Sequence, residues 1–310
     1  MKKLRFVISL MTLDNDFQLA QAAAAQLAAR RLDVEVEIIY ADSDPITQST
    51  QLLKIIQANS ATHPAAILFQ PIGGTALPQV ARAAAAAGIG WVVLNRDVEY
   101  LSELRGTSRA PTFSISTDHR EVGRIQARQI AALLPGGGSV LYIQGPTGSS
   151  AASERTASMQ ASKPESVQLT MLRAQWTEQS AQRSVSSWLR LTTSQRAQVD
   201  LVVAQNDMMA VGARKVFEAL SEAERDKWLS LQYTGCDGLP HTGQEWVRTG
   251  LLAATIIVPP NTDQAIALLV QALREGIQPP ENVRTTPSSF PSLESLLAAR
   301  SRELRHTSWS

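Results

Sequence analysis

Residues 199–213 read VDLVVAQNDMMAVGA. The run at 199–204 holds five apolar residues and one acid, the pattern of a short buried strand, and the residues from Met208 onward have the make-up of a helix. Asn206 and Asp207 stand at the junction. Asp207 is the expected N-cap of a helix over 208–221, because a short carboxylate there accepts a free amide of the first turn. Asn206 is then a spare amide just beyond the carboxyl end of a strand. Strands that pass straight into helices build parallel sheets, and open sheets of that kind hold ligands outside the carboxyl ends of their strands.

The same unit recurs on both sides of this stretch. Strands are expected at 5–10, 34–40, 65–70 and 90–95, and again at 138–144, 167–173, 199–204 and 229–235, with a last one at 252–258. Helices fill the intervals, among them the Ala-rich 17–31 and a segment opened by Asp44-Pro45. A strand-like piece at 113–116 and a helix over 118–134 lie between the two sets. The expected fold class is therefore α/β, with two similar Rossmann-like lobes of parallel sheet flanked by helices. The first lobe is expected at 1–116 with about 259–285, and the second at 117–258 with about 286–310. Chain crossings near 116–117, 258–260 and 282–292 would form a multi-strand hinge. A single eight-stranded β/α barrel also suits about eight such units in ~250 residues. The near-duplication of the halves and the polar stretch at 282–292 favour two lobes.

Composition narrows the function. The 310 residues are 44% hydrophobic and 18% charged, which describes a globular protein with ample core. Twenty-nine basic and 28 acidic residues give a net charge of +1, so no global positive field exists to hold nucleic acid. The lone Cys236 excludes an internal disulfide, and His63, His119, His241 and His306 have no metal-ligand spacing. No metal and no cofactor are expected. The start MKKLRFVISLMTLDND has an apolar stretch too short for a signal peptide, no cleavage motif follows it, and no run is long enough to span a membrane. The chain reads as leaderless and soluble. Neither a G-x-S-x-G elbow, a Walker A loop nor a G-x-G-x-x-G fingerprint is present, and no catalytic residue is assigned.

Five polar clusters each follow an expected strand: TLDNDFQ (12–18), NRD (95–97), SSAASERT (149–156), QND (205–207) and CDG (236–238). Asn15 offers a two-sided amide and Phe17 a flat apolar face, a mixture suited to a sugar ring; a helix cap with a core Phe explains the pair equally well. Arg96 can fork onto two ligand oxygens or pair with Asp97 or Glu99. Arg155 lies more than a turn inside its helix, Trp176 is a stacking face or a core anchor, and Asp237 before Gly238 is also a turn signal.

In order, DNDF, LNRD, SSAASERT, QNDMMAVGA, GCDG and LLAATI resemble the type I periplasmic sugar-binding proteins of the ribose- and galactose-binding kind, from about residue 4 to 277. Lac-repressor-type ligand-binding domains share that fold. The resemblance implies ligand contacts from Asn15, Phe17, Asn95, Arg96, Arg155, Trp176, Asn206 and Asp237, with Asp14, Gln18, Cys236 and Val258 as secondary candidates. It implies a monomeric solute-binding protein without catalytic activity that closes two lobes over a sugar or polyol and presents itself to an ABC-type permease or a receptor. It also implies a periplasmic or extracytoplasmic location, while the missing leader leaves the cytoplasm open. A ligand-sensing domain for a kinase or regulator is the second reading, and a β/α-barrel carbohydrate enzyme the third. Ribose-type members carry an aromatic where this chain has Gln18, an Asp at Asn95, an aromatic at Cys236 and an amide near Val258. These departures predict a ligand other than ribose, with Cys236 widening the pocket.

Overall fold

In strand β1 (Arg5–Leu10), Phe6, Ile8 and Leu10 enter one apolar cluster and Val7 another, so both faces of the strand are covered and no polar alternation remains. A computed structural model describes residues 3–72, 76–192 and 197–298. The chain divides into two compact units, Met1–Thr117 with Pro260–Thr285, and Asp118–Pro259 with Thr286–Ser310.

Unit 1 contains, in chain order, β1, α1 (Asp16–Leu32), β2 (Glu35–Tyr40), α2 (Pro45–Ile56), β3 (Ala66–Phe69), α3 (Pro78–Ala86), β4 (Gly90–Leu94), α4 (Leu101–Thr107) and β5 (Thr112–Thr117). It regains α11 (Thr262–Glu275) and β11 (Asn282–Thr285) from the far end of the chain. Its six strands are all parallel, in the order β11-β5-β4-β3-β1-β2. The order reverses at β1/β3, which places a ligand-accepting crevice at the carboxyl ends of those two strands.

Unit 2 contains α5 (His119–Leu133), β6 (Gly138–Gln144), α6 (Ser150–Ser162), β7 (Val167–Arg173), α7 (Glu178–Leu189), β8 (Leu201–Ala204), α8 (Asp207–Glu218), α9 (Glu222–Leu229), β9 (Gln232–Thr234), α10 (Gly243–Arg248), β10 (Thr255–Ile257) and β12 (Ser288–Phe290). Four parallel strands run β7-β6-β8-β9, with the reversal at β6/β8. Leu141 and Ile143 face one cluster, and Val140 and Tyr142 the other.

Separate sheets exclude the single barrel. Other details also depart from the sequence reading. Helices α4 and α9 fall where only connections were expected, and α9 shortens the strand read at 229–235 to three residues. The strand read at 252–258 contributes β10, which pairs antiparallel with β12, a strand inside the stretch taken as a polar linker. Asn206, not Asp207, is the N-cap of α8: its backbone is extended and its side chain accepts from Met209 N at 2.8 Å, while Asp207 is the first helical residue. The carboxylate of Asp207 is directed elsewhere, as described below.

Candidate functional site

At the carboxyl edge of unit 1, Asn15 is the N-cap of α1; it is buried and its Oδ1 accepts from Gln18 N at 3.2 Å. Phe17 is also buried, in the first turn. Gln18 Oε1 accepts from Met11 N (2.9 Å), and its Nε2 donates to Gln70 Oε1 (3.0 Å) just past β3. Gln70 Oε1 also accepts from Asn95 Nδ2 at 3.2 Å, and Asn95 Oδ1 accepts from Asn261 Nδ2 at 2.7 Å. Asn261 Oδ1 in turn accepts from Gln21 Nε2 (2.9 Å), whose Oε1 receives the backbone amides of Asn261 and Thr262. Five buried amide side chains, from α1, the ends of β3 and β4 and the start of α11, are thus joined in one chain. Burying amides costs little only when each is paired, and this network meets that condition.

Asn95 sits in the left-handed region at φ 56°, where Asn is among the few residues tolerated, because the strand must turn sharply there. Arg96 is buried beside it and donates from Nη1 to Asn95 O at 2.8 Å. The ion pair of Asp97 goes to Arg284 on β11, at 2.7 Å. Asp14 is exposed, its amide bound to Thr12 Oγ1. The carboxyl of Asp16, the first residue of α1, is raised by burial.

Unit 2 builds its edge from different chemistry. Arg155 on α6 is 4% exposed and is held by three neutral groups: Nη1 donates to Gln205 O at 2.6 Å, Nε donates to His119 Nδ1 at 3.3 Å, and the guanidinium lies 5.6 Å from the Trp176 ring centre. Its backbone is set by the close crossing of α5 and α6, since a Cβ on Gly123 would lie 2.4 Å from Arg155 O. Trp176 is half-buried, adopts φ 64°, and packs against Gly145, where a Cβ would meet the indole at 2.3 Å. Asn206 donates from Nδ2 to Trp176 O at 2.8 Å, so the cap of α8 also fixes the indole-bearing turn.

Gln205, fully buried, accepts from Gly145 N at 2.8 Å and lies within hydrogen-bond distance of Tyr142 Oη and Thr156 Oγ1. Asp207 ties α8 to the segments beside it, accepting from Thr255 Oγ1 at 2.6 Å and from Gly238 N at 2.8 Å. Gly235 and Gly243 leave room for it; a Cβ on either would lie 2.1 Å from a carboxylate oxygen. Burial, reinforced by the negative Asp237 nearby, raises the Asp207 carboxyl well above the usual range. Cys236 is fully buried and its thiol is pushed up to about 12 by the same loss of solvent. Asp237 is half-buried at φ 109°, its amide on Ile256 O and its carbonyl accepting from Val258 N; Val258 is buried.

Each unit thus gathers its sequence-predicted residues at the carboxyl edge of its own sheet: Asn15, Phe17, Gln18, Asn95 and Arg96 in the first, Arg155, Trp176, Asn206, Cys236 and Asp237 in the second. Sequence reasoning missed Gln21, Gln70 and Asn261 in the first and His119 in the second, and it placed Gln205 in the cluster QND without assigning it a contact. Gln70 and Gln205 carried a usable signal, since each is the first polar residue after an apolar strand. Gln21 and His119 lie inside helices and carried none. Among the described residues, no cluster of His, Cys, Asp and Glu is suited to a metal ion, and no helix is long and apolar enough to cross a membrane.

Comparison with known proteins agrees with this fold. A family model described as a periplasmic binding protein domain matches residues 6–277. A xylitol-binding protein of Mycolicibacterium smegmatis is 29% identical over 259 residues, covering 81% of this chain and 66% of that protein. The ribose import binding protein RbsB of Salmonella typhimurium is 26% identical over 261 residues, covering 84% and 81%. Among solved structures, a periplasmic solute-binding protein of an ABC transporter from Actinobacillus succinogenes, with bound D-allose, superposes with a TM-score of 0.78 at 19% identity, covering 93% of this chain and 97% of that one.

Proposed function

Because the chain belongs to the periplasmic binding protein domain family, we propose that it is a solute-binding protein for a sugar or sugar-like polyol, serving an ABC-type permease outside the cytoplasm and catalysing no reaction. The observation that carries this reading is the setting of Arg155: a buried guanidinium among neutral partners, beside an indole face and at the topological switch of a parallel sheet. Such a group offers charge-assisted hydrogen bonds to vicinal hydroxyls, while Trp176 offers a flat surface to the C–H face of a ring. From unit 1, Asn15, Phe17, Asn95 and Arg96 supply amides, an aromatic and a second guanidinium of the same character. The three passages of the chain between units are the proposed hinge. A ligand that prefers the closed state would shift the population toward it.

The ligand is proposed to be other than ribose. Gln18 and Asn95 stand where ribose-type members carry an aromatic and an acid, and both are tied into the amide chain of unit 1. A thermal-shift screen over sugars, polyols and nucleosides tests the reading, since a ligand at about 100 times its Kd adds roughly 2.7 kcal/mol of stability. One or a few sugars or polyols should raise the melting temperature and be recovered chemically unchanged by mass spectrometry. Conversion of the compound would mean an enzyme, and micromolar calorimetric affinity for ribose would overturn the choice of ligand.

A further inference from the structure

His119 is absent from every set of ligand contacts above, yet it touches the group on which that reading rests. It is the first residue of α5 and the second residue of unit 2, and it is 5% exposed. Its Nδ1 accepts from Arg155 Nε at 3.3 Å, while Gln205 O takes Nη1 of the same guanidinium and Trp176 lies against its face. The bond at Nε adds a third point of attachment to those supplied by the carbonyl and the indole. We propose that His119 is a positioning residue, whose neutral imidazole aligns the Arg155 guanidinium for ligand and makes ligand affinity depend on the proton. The proposal rests on the assignment of Arg155 to the ligand.

The chemistry fixes the sign. A ring nitrogen accepts only while it is unprotonated, so the bond exists above the imidazole pKa and is lost below it. Protonation would replace the acceptor with an N–H donor directed at a guanidinium, and two cations would meet in a buried place. Of the elements packed on α5, β10 and β12 carry no titratable side chain, α6 carries Glu154 and Arg155, and β6 carries Tyr142, whose Oη donates to Gln126 Oε1 of α5. On α5 itself Asp118 and Glu121 engage Arg124, and Arg120 is exposed. Asp207, Cys236 and Asp237 act on the same region through the field of the Arg155 site.

The test uses three variants of the whole protein. In His119→Asn the Oδ1 takes the place of Nδ1 and cannot titrate; His119→Leu removes the acceptor; Arg155→Ala removes its target. Xylitol, D-allose and D-ribose serve as calorimetric probes at about pH 7.5 and pH 5.5. In wild type, affinity should be lower at the lower pH; His119→Asn should keep its affinity at both; His119→Leu should lose about tenfold at both, and nothing further when added to Arg155→Ala. NMR of the Arg155 Nε–H supplies a readout without ligand: its shift and solvent exchange should follow pH in wild type and not in His119→Asn. An Nε–H signal blind to pH, or full affinity in a folded His119→Leu, overturns the proposal. If Arg155→Ala binds the probes normally, the assignment of Arg155 fails instead, and the NMR result still decides whether His119 governs the guanidinium.

Discussion

The two units use one sheet plan and furnish its carboxyl edge with opposite chemistries. Unit 1 presents a chain of neutral amides, Gln18–Gln70–Asn95–Asn261–Gln21, in which each donor has a neighbour as acceptor. Unit 2 presents a guanidinium, an imidazole, an indole and a buried carboxyl, joined by bonds that depend on charge and protonation. The same topology supplies positions and leaves their chemistry open. The amide edge resists pH and gains its rigidity from complete pairing, whereas the ionic edge responds to pH and concentrates its effect in one residue.

Substitutions test this contrast. Arg155→Ala should cost about 2–5 kcal/mol of ligand affinity, because it removes a desolvated charge-assisted contact, and calorimetry against the best sugar or polyol reads it. An unchanged Kd would remove the ionic edge from the contrast. Gly235→Ala should destabilise the protein by about 3 kcal/mol, since its Cβ lands 2.1 Å from the Asp207 carboxylate and 2.8 Å from backbone; urea unfolding measures the loss. In unit 1, Asn261→Ala breaks the amide chain between Asn95 and Gln21 and leaves both short of partners. About 2 kcal/mol should be lost, by the same amount at pH 5 and pH 8.

Asp207→Asn gives the smallest but most diagnostic effect. A carboxyl whose pKa is raised on folding adds stability that is full below its unfolded value and is lost as pH rises through the folded one. Wild-type melting temperature should therefore contain a component that declines above about pH 4, and the amide variant should lack that component. Parallel pH profiles for the two proteins would show that Asp207 is not held protonated.

Much of the architecture was legible because the strands are buried on both faces. Apolar runs such as AILF and GWVVL contrast sharply with the helices around them, and the punctuation at Asn15, Asp44 and Ser149 marks helix starts that the structure retains as caps. The partner of β10 was not legible. Three residues of Thr and Ile carry no information on which sheet they join, and β12 is read as linker because two of its three residues are Ser and prolines flank it. The polar residues were legible as clusters but not as networks. A Gln inside a helix has the same local sequence whether it faces solvent or, like Gln21, closes a bond with a residue 240 positions away. The exchange of roles between Asn206 and Asp207 has the same origin. Either caps a helix, and the choice was made by the slot between Gly235 and Gly243, which only the tertiary structure brings together.

The three passages of the chain also have a bearing on biosynthesis. Edge strand β11 of unit 1 lies at Asn282–Thr285 and β12 of unit 2 at Ser288–Phe290, so each unit waits on residues beyond 281 for one of its strands. No single cut yields either unit whole, and a chain still emerging from the ribosome holds two unfinished sheets. Until residues 282–290 have been made, β5 lacks its neighbour β11 and β10 lacks its neighbour β12.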